Sequence, residues 1–182
     1  CGKRMSDNKT KVTKKKSFII GWIIPIIAAI GLAFLINKFV VFKIVVPTSS
    51  MAPTIEAGDQ ILVSRLFNAN DLKTGEIVVF KSNYSNELLI KRVIGTPGDK
   101  VVVDENGDVY INGKLLNQPY VKYPGGKYGE WKVPACCYFM LGDNRANSYD
   151  SRYWSDPFIK ASSIVAVAGF RIHPFNKIGF LT

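Results

Sequence analysis

The sequence predicts a mostly β protein, with a single N-terminal transmembrane helix followed by an antiparallel β-sheet or barrel-like domain. Three observations predict this fold. An uncharged apolar run occupies residues 18–36, short β-rich segments separated by Gly, Asn and Pro follow it, and no helical period is sustained beyond it. A chain of 182 residues is long enough for one modest domain with an appendage.

Residues 1–17 form a basic tail. Seven Lys or Arg residues stand there against Asp7 alone, so the tail carries +6 of the formal net charge of +10. A basic chain could bind nucleic acid, but charge beside a long apolar run favours a membrane. The positive-inside rule then predicts a cytoplasmic N-terminus. Met5 resembles a natural start, so residues 1–4 are expected to be an addition, although the sequence leaves their origin open.

Residues 18–42 are predicted to be a membrane anchor. As a helix, the run 18–36 would cover roughly 28 Å, close to the ~30 Å hydrocarbon core of a bilayer. A cleavable secretory signal is the rival interpretation, but its apolar region usually spans about 7–15 residues. We therefore expect an uncleaved single-pass anchor in the plasma membrane, with residues 43–182 as an extracytoplasmic β domain.

Apolar β-rich segments alternate with turn signals in residues 43–182. Asn106-Gly107 between two such segments predicts a hairpin, and Asn112-Gly113 predicts a second tight turn directly after it. Residues 119–134, rich in Tyr, Gly and Pro, are expected to be a surface loop. The predicted strands are residues 43–46, 60–64, 76–80, 88–95, 100–103, 109–111, 137–141 and 163–172.

The cysteines are Cys1, Cys136 and Cys137. Adjacent cysteines rarely bridge each other, because the short loop forces a strained geometry. The pair also lacks two further ligands at a spacing that zinc could use. We interpret these residues as buried or half-buried small apolar side chains, and we expect no metal or cofactor.

Ser50 lies in a segment whose freedom Pro47 and Pro53 limit. A serine hydroxyl is a weak nucleophile unless a base activates it. His173 is the only histidine of the chain and lies near its C-terminal end. We interpret it as a structural or surface residue rather than as the base of a Ser-His-Asp triad.

Lys91 could serve as a base if burial keeps its amine neutral. Strand alternation puts Leu89, Lys91 and Val93 on one face, with no acidic residue two positions away. This apolar setting suits a lowered pKa. Periodicity alone nevertheless favours the simpler alternative, an edge-strand lysine that extends to solvent.

Three segments stand in a fixed order beyond the predicted anchor. They are residues 50–55 (Ser-Met-Ala-Pro-Thr-Ile), 91–99 (Lys-Arg-Val-Ile-Gly-Thr-Pro-Gly-Asp) and 142–152 (Gly-Asp-Asn-Arg-Ala-Asn-Ser-Tyr-Asp-Ser-Arg). Together they resemble bacterial type I signal peptidases in order and approximate spacing. The resemblance covers nearly all of residues 43–182, and the short connections match a form without large insertions.

The resemblance implies a Ser-Lys dyad in which Ser50 attacks the scissile carbonyl and Lys91 accepts its proton. Thr48 would join the Ser50 amide in stabilising the oxyanion, and Ser148 would position the lysine amine. The residues implied to brace the site are Asp143, Arg145, Asp150 and Arg152. The residues implied to wall the substrate pockets are Val46, Met51, Ile55 and Ile90.

Three positions depart from the family pattern. Ala146 stands where an acidic residue is common, which removes one ion pair from the bracing network. Ser49 replaces a common glycine, and the following Met-x-Pro context assigns the nucleophile to Ser50 rather than Ser49. Thr96 replaces a common leucine, which we interpret as a packing change.

The activity implied by the resemblance is that of a serine endopeptidase, which removes N-terminal signal peptides from exported preproteins after small residues at −3 and −1. Its partners would be those signal peptides, the lipid bilayer and, as a further candidate, the export machinery, but not nucleic acid. Two alternatives remain. One is a related Ser-Lys protease that cleaves itself or a regulator, and the other is a non-enzymatic β module tethered to a membrane.

Overall fold

The computed structural model describes residues 21–35, 40–82 and 87–181. Residues 21–35 form a helix whose side chains are exposed. Within the described ranges, no helix is both long and apolar enough to cross a membrane. The predicted basic tail and residues 18–20 and 36–39 of the predicted anchor lie outside these ranges.

Residues 41–181 form a mostly β unit, and its first strand begins two residues before the expected start of the β domain. The strands are β1 (Val41–Val45), β2 (Gln60–Ser64), β3 (Ile77–Lys81), β4 (Leu88–Gly95), β5 (Lys100–Val103), β6 (Val109–Ile111), β7 (Lys114–Leu115), β8 (Gly129–Lys132), β9 (Cys137–Leu141), β10 (Phe158–Lys160), β11 (Ile164–His173) and β12 (Gly179–Phe180). Short 3-10 helices occupy Arg145–Asn147, Ala161–Ser163 and Phe175–Lys177.

The strands form two antiparallel sheets. The larger sheet has the order β1-β2-β11-β3-β4-β9-β10, with β12 paired to β11, and the smaller has the order β7-β6-β5-β8. The prediction of an antiparallel β fold is therefore confirmed. Among the described strands, β1 and β10 remain the edges of the larger sheet, so the sheet does not close into a barrel.

Both predicted turns are present in the smaller sheet. Residues 104–108 connect β5 and β6, with Gly107 at φ +86°. Asn112 and Gly113 both have positive φ and join β6 to β7, as a two-residue turn of the primed type requires. The sequence signal was strong because few residues other than Asn and Gly tolerate this backbone.

The expected loop over residues 119–134 contains a strand, β8, that its composition does not predict. Strand β8 pairs with β5, and its Trp131 ring packs against Phe139 with centroids 4.8 Å apart. Half-buried residues alternate with exposed ones along this strand. Tertiary contact with a buried aromatic residue outweighs the local preference of a Gly- and Tyr-rich segment for a loop.

Strand β4 positions the centre of the molecule, because it lies between β3 and β9. Its residues from Ile90 to Gly95 are all buried. Lys91 is paired with Val78 of β3, and Arg92 is paired with both Ile77 of β3 and Leu141 of β9. Successive side chains point to opposite faces of a sheet, so two adjacent cations enter different environments.

Candidate active site

Ser50 lies in a closed loop between β1 and β2. Val46 donates its N–H to the Asp59 carbonyl (3.0 Å) and accepts from Gly58 N–H (2.8 Å), which ties the two ends of the loop together. Inside the loop, Ala52 N–H donates to the Ser49 carbonyl and Ile55 N–H to the Met51 carbonyl. These bonds hold the serine in a tight turn instead of leaving it on a mobile connection.

The Lys91 amine lies directly against the Ser50 hydroxyl. Nζ is 2.5 Å from Oγ, and the side chains come from segments 41 residues apart. Lys91 is 4% exposed and Ser50 is 8% exposed. The alternative of an edge-strand lysine extending to solvent is therefore wrong, because β4 is an interior strand.

Burial lowers the pKa of Lys91 from 10.5 to about 8. The Asp150 and Asp143 carboxylates raise this pKa, while the Arg152 guanidinium lowers it further. Each carboxylate is already ion-paired with an arginine, so neither cancels the cost of burying an ammonium group. A substantial fraction of Lys91 is consequently neutral near pH 8 and able to accept a proton.

Two potential donors adjoin the Ser50 side chain. The Thr48 hydroxyl oxygen lies 3.4 Å from Ser50 Oγ. Among the described residues, no backbone carbonyl accepts a bond from the Ser50 N–H. A hydroxyl and a free amide close to a nucleophile can stabilise negative charge on a substrate oxygen.

Gly142 makes room for the nucleophile at the end of β9. A Cβ atom at this position would lie 2.2 Å from Ser148 Oγ and 2.4 Å from the Ser50 carbonyl oxygen. Only glycine permits this approach. Ser148 is itself buried, and its Oγ has no hydrogen-bond partner among the described residues.

Two buried ion pairs surround the site. Asp143 accepts from Arg92 Nε (2.8 Å) and Nη2 (2.7 Å), and Asp150 accepts from Arg152 Nε (2.8 Å) and Nη2 (2.9 Å). Asp150 also accepts from the Gly142 N–H at 3.1 Å. Both carboxylates are fully buried, and bidentate pairing is what makes such burial tolerable.

Arg145 is buried without a carboxylate partner in the described structure. Its Nε donates to the Gly142 carbonyl at 3.0 Å, and Nη2 donates to the Gln118 side chain. Arg152 Nη2 in turn donates to the Arg145 carbonyl at 2.9 Å. Arg145 therefore braces backbone and a neutral amide. Asp143 is paired with Arg92, which is not among the residues that the resemblance implies.

The four residues expected to wall the substrate pockets lie in one buried cluster. Val46, Met51, Ile55 and Ile90 pack together with β2, β3 and β11 residues. On the other side of β4, a cleft of roughly 470 Å³ runs past Ser50 and Lys91. The serine and lysine thus lie between an apolar cluster and an open cleft.

The sequence matches the protein family described as "Signal peptidase, peptidase S26" over residues 19–173. This match covers far more than half of the chain. The chain belongs to the signal peptidase family. It is accordingly a serine endopeptidase, as the family's signal peptidase I members are.

Named relatives in this family match most of the chain. A Synechocystis sp. protein named "Probable signal peptidase I-2" is 40% identical, covering 86% of this chain and 74% of its own. "Signal peptidase I" of Bacillus amyloliquefaciens is 39% identical, covering 96% and 98%. A crystal structure of a signal peptidase I from Enterococcus faecalis V583 aligns with a TM-score of 0.48 and 30% identity, covering 53% and 96%.

Sequence reasoning missed two residues of this signal peptidase that contact the site. Asn144 donates its backbone N–H to the Ser50 carbonyl (3.1 Å) and its side-chain Nδ2 to the Ser49 carbonyl (3.3 Å). Arg92 pairs with Asp143. Both residues stand inside the matching segments, but only the fold reveals that Asn144 joins two segments 95 residues apart in the chain.

The other residues that the sequence singles out make no contact with Ser50 or Lys91 in the described structure of this family member. His173 is exposed, is paired with Gln60 and has its ring against Phe175, as expected of a surface residue. Cys136 and Cys137 are free thiols at the start of β9, and Cys1 lies outside the described residues. Cys137 is half-buried as expected, but the expected burial is wrong for Cys136, which is exposed in the turn before the strand. Ala146 donates its N–H to the Tyr123 carbonyl.

Proposed function

We propose that this chain is a membrane-anchored serine endopeptidase that removes N-terminal signal peptides from exported preproteins. In this proposal the cut follows small residues at −3 and −1, Ser50 is the nucleophile and Lys91 is the general base. The observation that carries it is the 2.5 Å contact between Lys91 Nζ and Ser50 Oγ in a buried site. Membership in the signal peptidase family supplies the substrate class.

In the proposed mechanism, neutral Lys91 takes the Ser50 proton as Oγ attacks the scissile carbonyl carbon. The resulting oxyanion accepts bonds from the Ser50 N–H and the Thr48 hydroxyl. Lys91 then gives its proton to the departing amine, which leaves an ester between Ser50 and the signal peptide. Water hydrolyses that ester, with Lys91 acting as base a second time.

Ser148 is proposed to orient the Lys91 amine. A buried hydroxyl without a partner costs about 1–3 kcal/mol, so the unpaired Ser148 Oγ gains by accepting a bond from an ammonium group. Lys91 becomes such a group as soon as it has taken the Ser50 proton. Asp143, Arg145, Asp150 and Arg152 are proposed to support this arrangement. Asp150 and Arg145 bond to the Gly142 backbone, Arg152 pairs with Asp150, and Asp143 pairs with Arg92.

The cluster of Val46, Met51, Ile55 and Ile90 is proposed to accept the small side chains at −1 and −3. All four are apolar and buried, so a site between them excludes charged and bulky residues. An alanine side chain demands little space and leaves no polar group unpaired.

The membrane part of the proposal rests on residues 1–42. We propose a cytoplasmic tail at residues 1–17, an anchor at 18–42 and an extracytoplasmic catalytic domain at 43–182. The described helix at 21–35 contains no charged residue and exposes apolar side chains such as Trp22, Ile27 and Phe34. The bilayer and the export machinery are the proposed partners besides the substrate.

The decisive experiment assays purified full-length protein on a preprotein with an Ala-x-Ala cleavage site. Lys91→Ala and Ser50→Ala should each abolish cleavage, while Lys81→Ala, which removes an exposed lysine of β3, should retain it. Unchanged cleavage by Lys91→Ala would rule out the mechanism. A protein that cuts itself but no preprotein in trans would instead favour the regulator-protease alternative.

A further inference from the structure

The cleft beside Ser50 continues along one face of strand β4. Glu87, Leu89 and Lys91 alternate with residues of the opposite face, so they point to the same side. All three line the 470 Å³ cleft. At about 3.4 Å per residue, Glu87 lies roughly 14 Å along the strand from Lys91.

The position of Glu87 is fixed by the β3–β4 ladder. The pairing of Lys81 with Leu88 continues one step further, because Ser82 donates its N–H to the Glu87 carbonyl at 2.8 Å. Ser82 and Glu87 therefore share the face of Lys91. Among the described residues, the Glu87 carboxylate forms no ion pair.

One edge of β4 is open beside this face. Strand β9 ends at Leu141, opposite Arg92, so the described strands leave residues 88–90 unpaired on the edge away from β3. An extended peptide can add to such an edge, and its side chains would alternate with the same period as those of β4.

The proposed function fixes which side chains face the cleft. If the residues at −1 and −3 enter the apolar cluster on the Ile90 side, those at −2 and −4 point to the opposite side. Strand β9 occupies the edge of β4 from Arg92 onward, so a peptide with −1 beside Ile90 extends toward Glu87. The residue at −2 then lies beside Leu89 and the residue at −4 beside Glu87. The side chain at −4 therefore meets the carboxylate.

The lining of the cleft suits a cation at that position. Among the described residues that line the cleft, Glu87 and Lys91 carry ionisable side chains, and Leu89 lies between them on the same face of β4. Tyr149 and Trp154 also line it, and aromatic faces attract ammonium and guanidinium groups. An acidic side chain at −4 would instead meet like charge.

We propose that Glu87 is a specificity-determining residue that favours a Lys or Arg side chain four residues before the cut. This inference rests on the proposed function, because the −1 and −3 pockets decide which substrate side chains face the cleft. Glu87 acts on binding of the substrate segment and takes no part in the proton transfers at Ser50.

The test uses full-length protein and peptides that share one Ala-x-Ala site. A neutral reference peptide carries Gln at −2, −4 and −5, and three others carry a single Lys at one of these positions. Wild type should show kcat/KM about two- to fivefold higher for Lys at −4 than for the reference, the range expected of a partly exposed ion pair. The preference should shrink as salt is added.

Variants assign the effect to one side chain. For Glu87→Gln, kcat/KM should be nearly equal for the peptide with Lys at −4 and the neutral reference. For Glu87→Lys, kcat/KM should be higher for a peptide with Glu at −4 than for the peptide with Lys at −4. Glu105→Gln removes an exposed glutamate from the β5–β6 turn and should keep the wild-type ratio. The ratio cancels any general loss of activity in a variant.

The possible results distinguish a failure of the proposed function from a failure of the role assigned to Glu87. If wild type does not cut the neutral reference peptide, the proposed function fails and this inference falls with it. If the reference is cut but the ratio at −4 is the same in wild type and Glu87→Gln, only the role of Glu87 is overturned. A charge preference at −2 or −5 alone would equally overturn it.

Discussion

Arg92 and Asp143 form a two-pronged ion pair that is almost completely removed from solvent, with 2.8 Å and 2.7 Å contacts. The residue before Arg92 in the same strand is Lys91, which has no carboxylate partner among the described residues and contacts a serine hydroxyl instead. Neighbouring cations thus have opposite environments. Arg92 is ion-paired and structural, and Lys91 has a lowered pKa that suits a base.

The pH dependence of cleavage should report the titration of Lys91. Because burial lowers its pKa to about 8, log kcat/KM should rise with pH up to about 8 and then level off. Initial rates on one peptide between pH 5 and pH 10 measure this. A flat profile across that range would contradict a lysine base.

The stability of the protein should carry the same titration. The folded pKa of about 8 lies below the ordinary 10.5, so between these values the unfolded chain binds more protons and stability rises with pH. Lys91→Met removes this contribution. The free energy of unfolding of Lys91→Met minus that of wild type should therefore fall by on the order of 3 kcal/mol between pH 7 and pH 11. Urea unfolding of both proteins measures this difference.

The Arg92–Asp143 pair should behave as a coupled unit. Arg92→Ala leaves a buried carboxylate unpaired and should destabilise the fold by about 3–5 kcal/mol, whereas Arg92→Met with Asp143→Leu should cost less than either single change. Lys100→Met breaks the exposed Lys100–Glu130 pair and should cost below ~1 kcal/mol. Additive effects in the double variant would contradict coupling.

Gly142→Ala should impair both folding and activity. The added methyl would overlap the Ser50 carbonyl and Ser148 Oγ, and moving either disturbs the nucleophile loop. Overpacking of this kind costs about 1–3 kcal/mol. Gly169→Ala is the matched control, because its Cβ would meet no atom within 4 Å. Thermal unfolding and kcat, measured on both variants, should change only for Gly142→Ala.

Thr48→Val should lower kcat while leaving KM nearly unchanged. The substitution keeps the shape of the side chain but removes the hydroxyl 3.4 Å from Ser50 Oγ, and loss of one oxyanion donor costs roughly 10²–10³ in kcat. Thr48→Ser keeps a hydroxyl and should retain most activity. Equal kcat for the Val and Ser variants would remove Thr48 from the mechanism.

The sequence predicts much of the strand pattern and little of how the strands pair. Strands β2, β4, β5, β6 and β9 have the predicted bounds, because apolar alternation and flanking turn residues are local signals. The sequence does not predict the two-residue strands β7 and β12, the three-residue strand β10 or the aromatic strand β8. Their pairing depends on partners elsewhere in the chain, which local patterns do not encode.

Lys91 shows the same limit at the candidate site. Alternation placed it among apolar neighbours, yet the same pattern fits an exposed edge strand, and only the pairing of β4 with both β3 and β9 distinguishes the two. Asn144 shows it again, since nothing in its local sequence indicates that it holds the Ser49 and Ser50 carbonyls.

The pairing of Lys91 with Val78 has a consequence for how the enzyme acquires its activity. A slip of β4 by one residue against β3 would exchange its two faces and turn the permanently charged Arg92 guanidinium toward Ser50. A guanidinium cannot accept a proton at any physiological pH. Correct strand register during folding therefore selects which of two adjacent cations faces Ser50, and a misregistered β4 would also deprive the buried Asp143 carboxylate of Arg92.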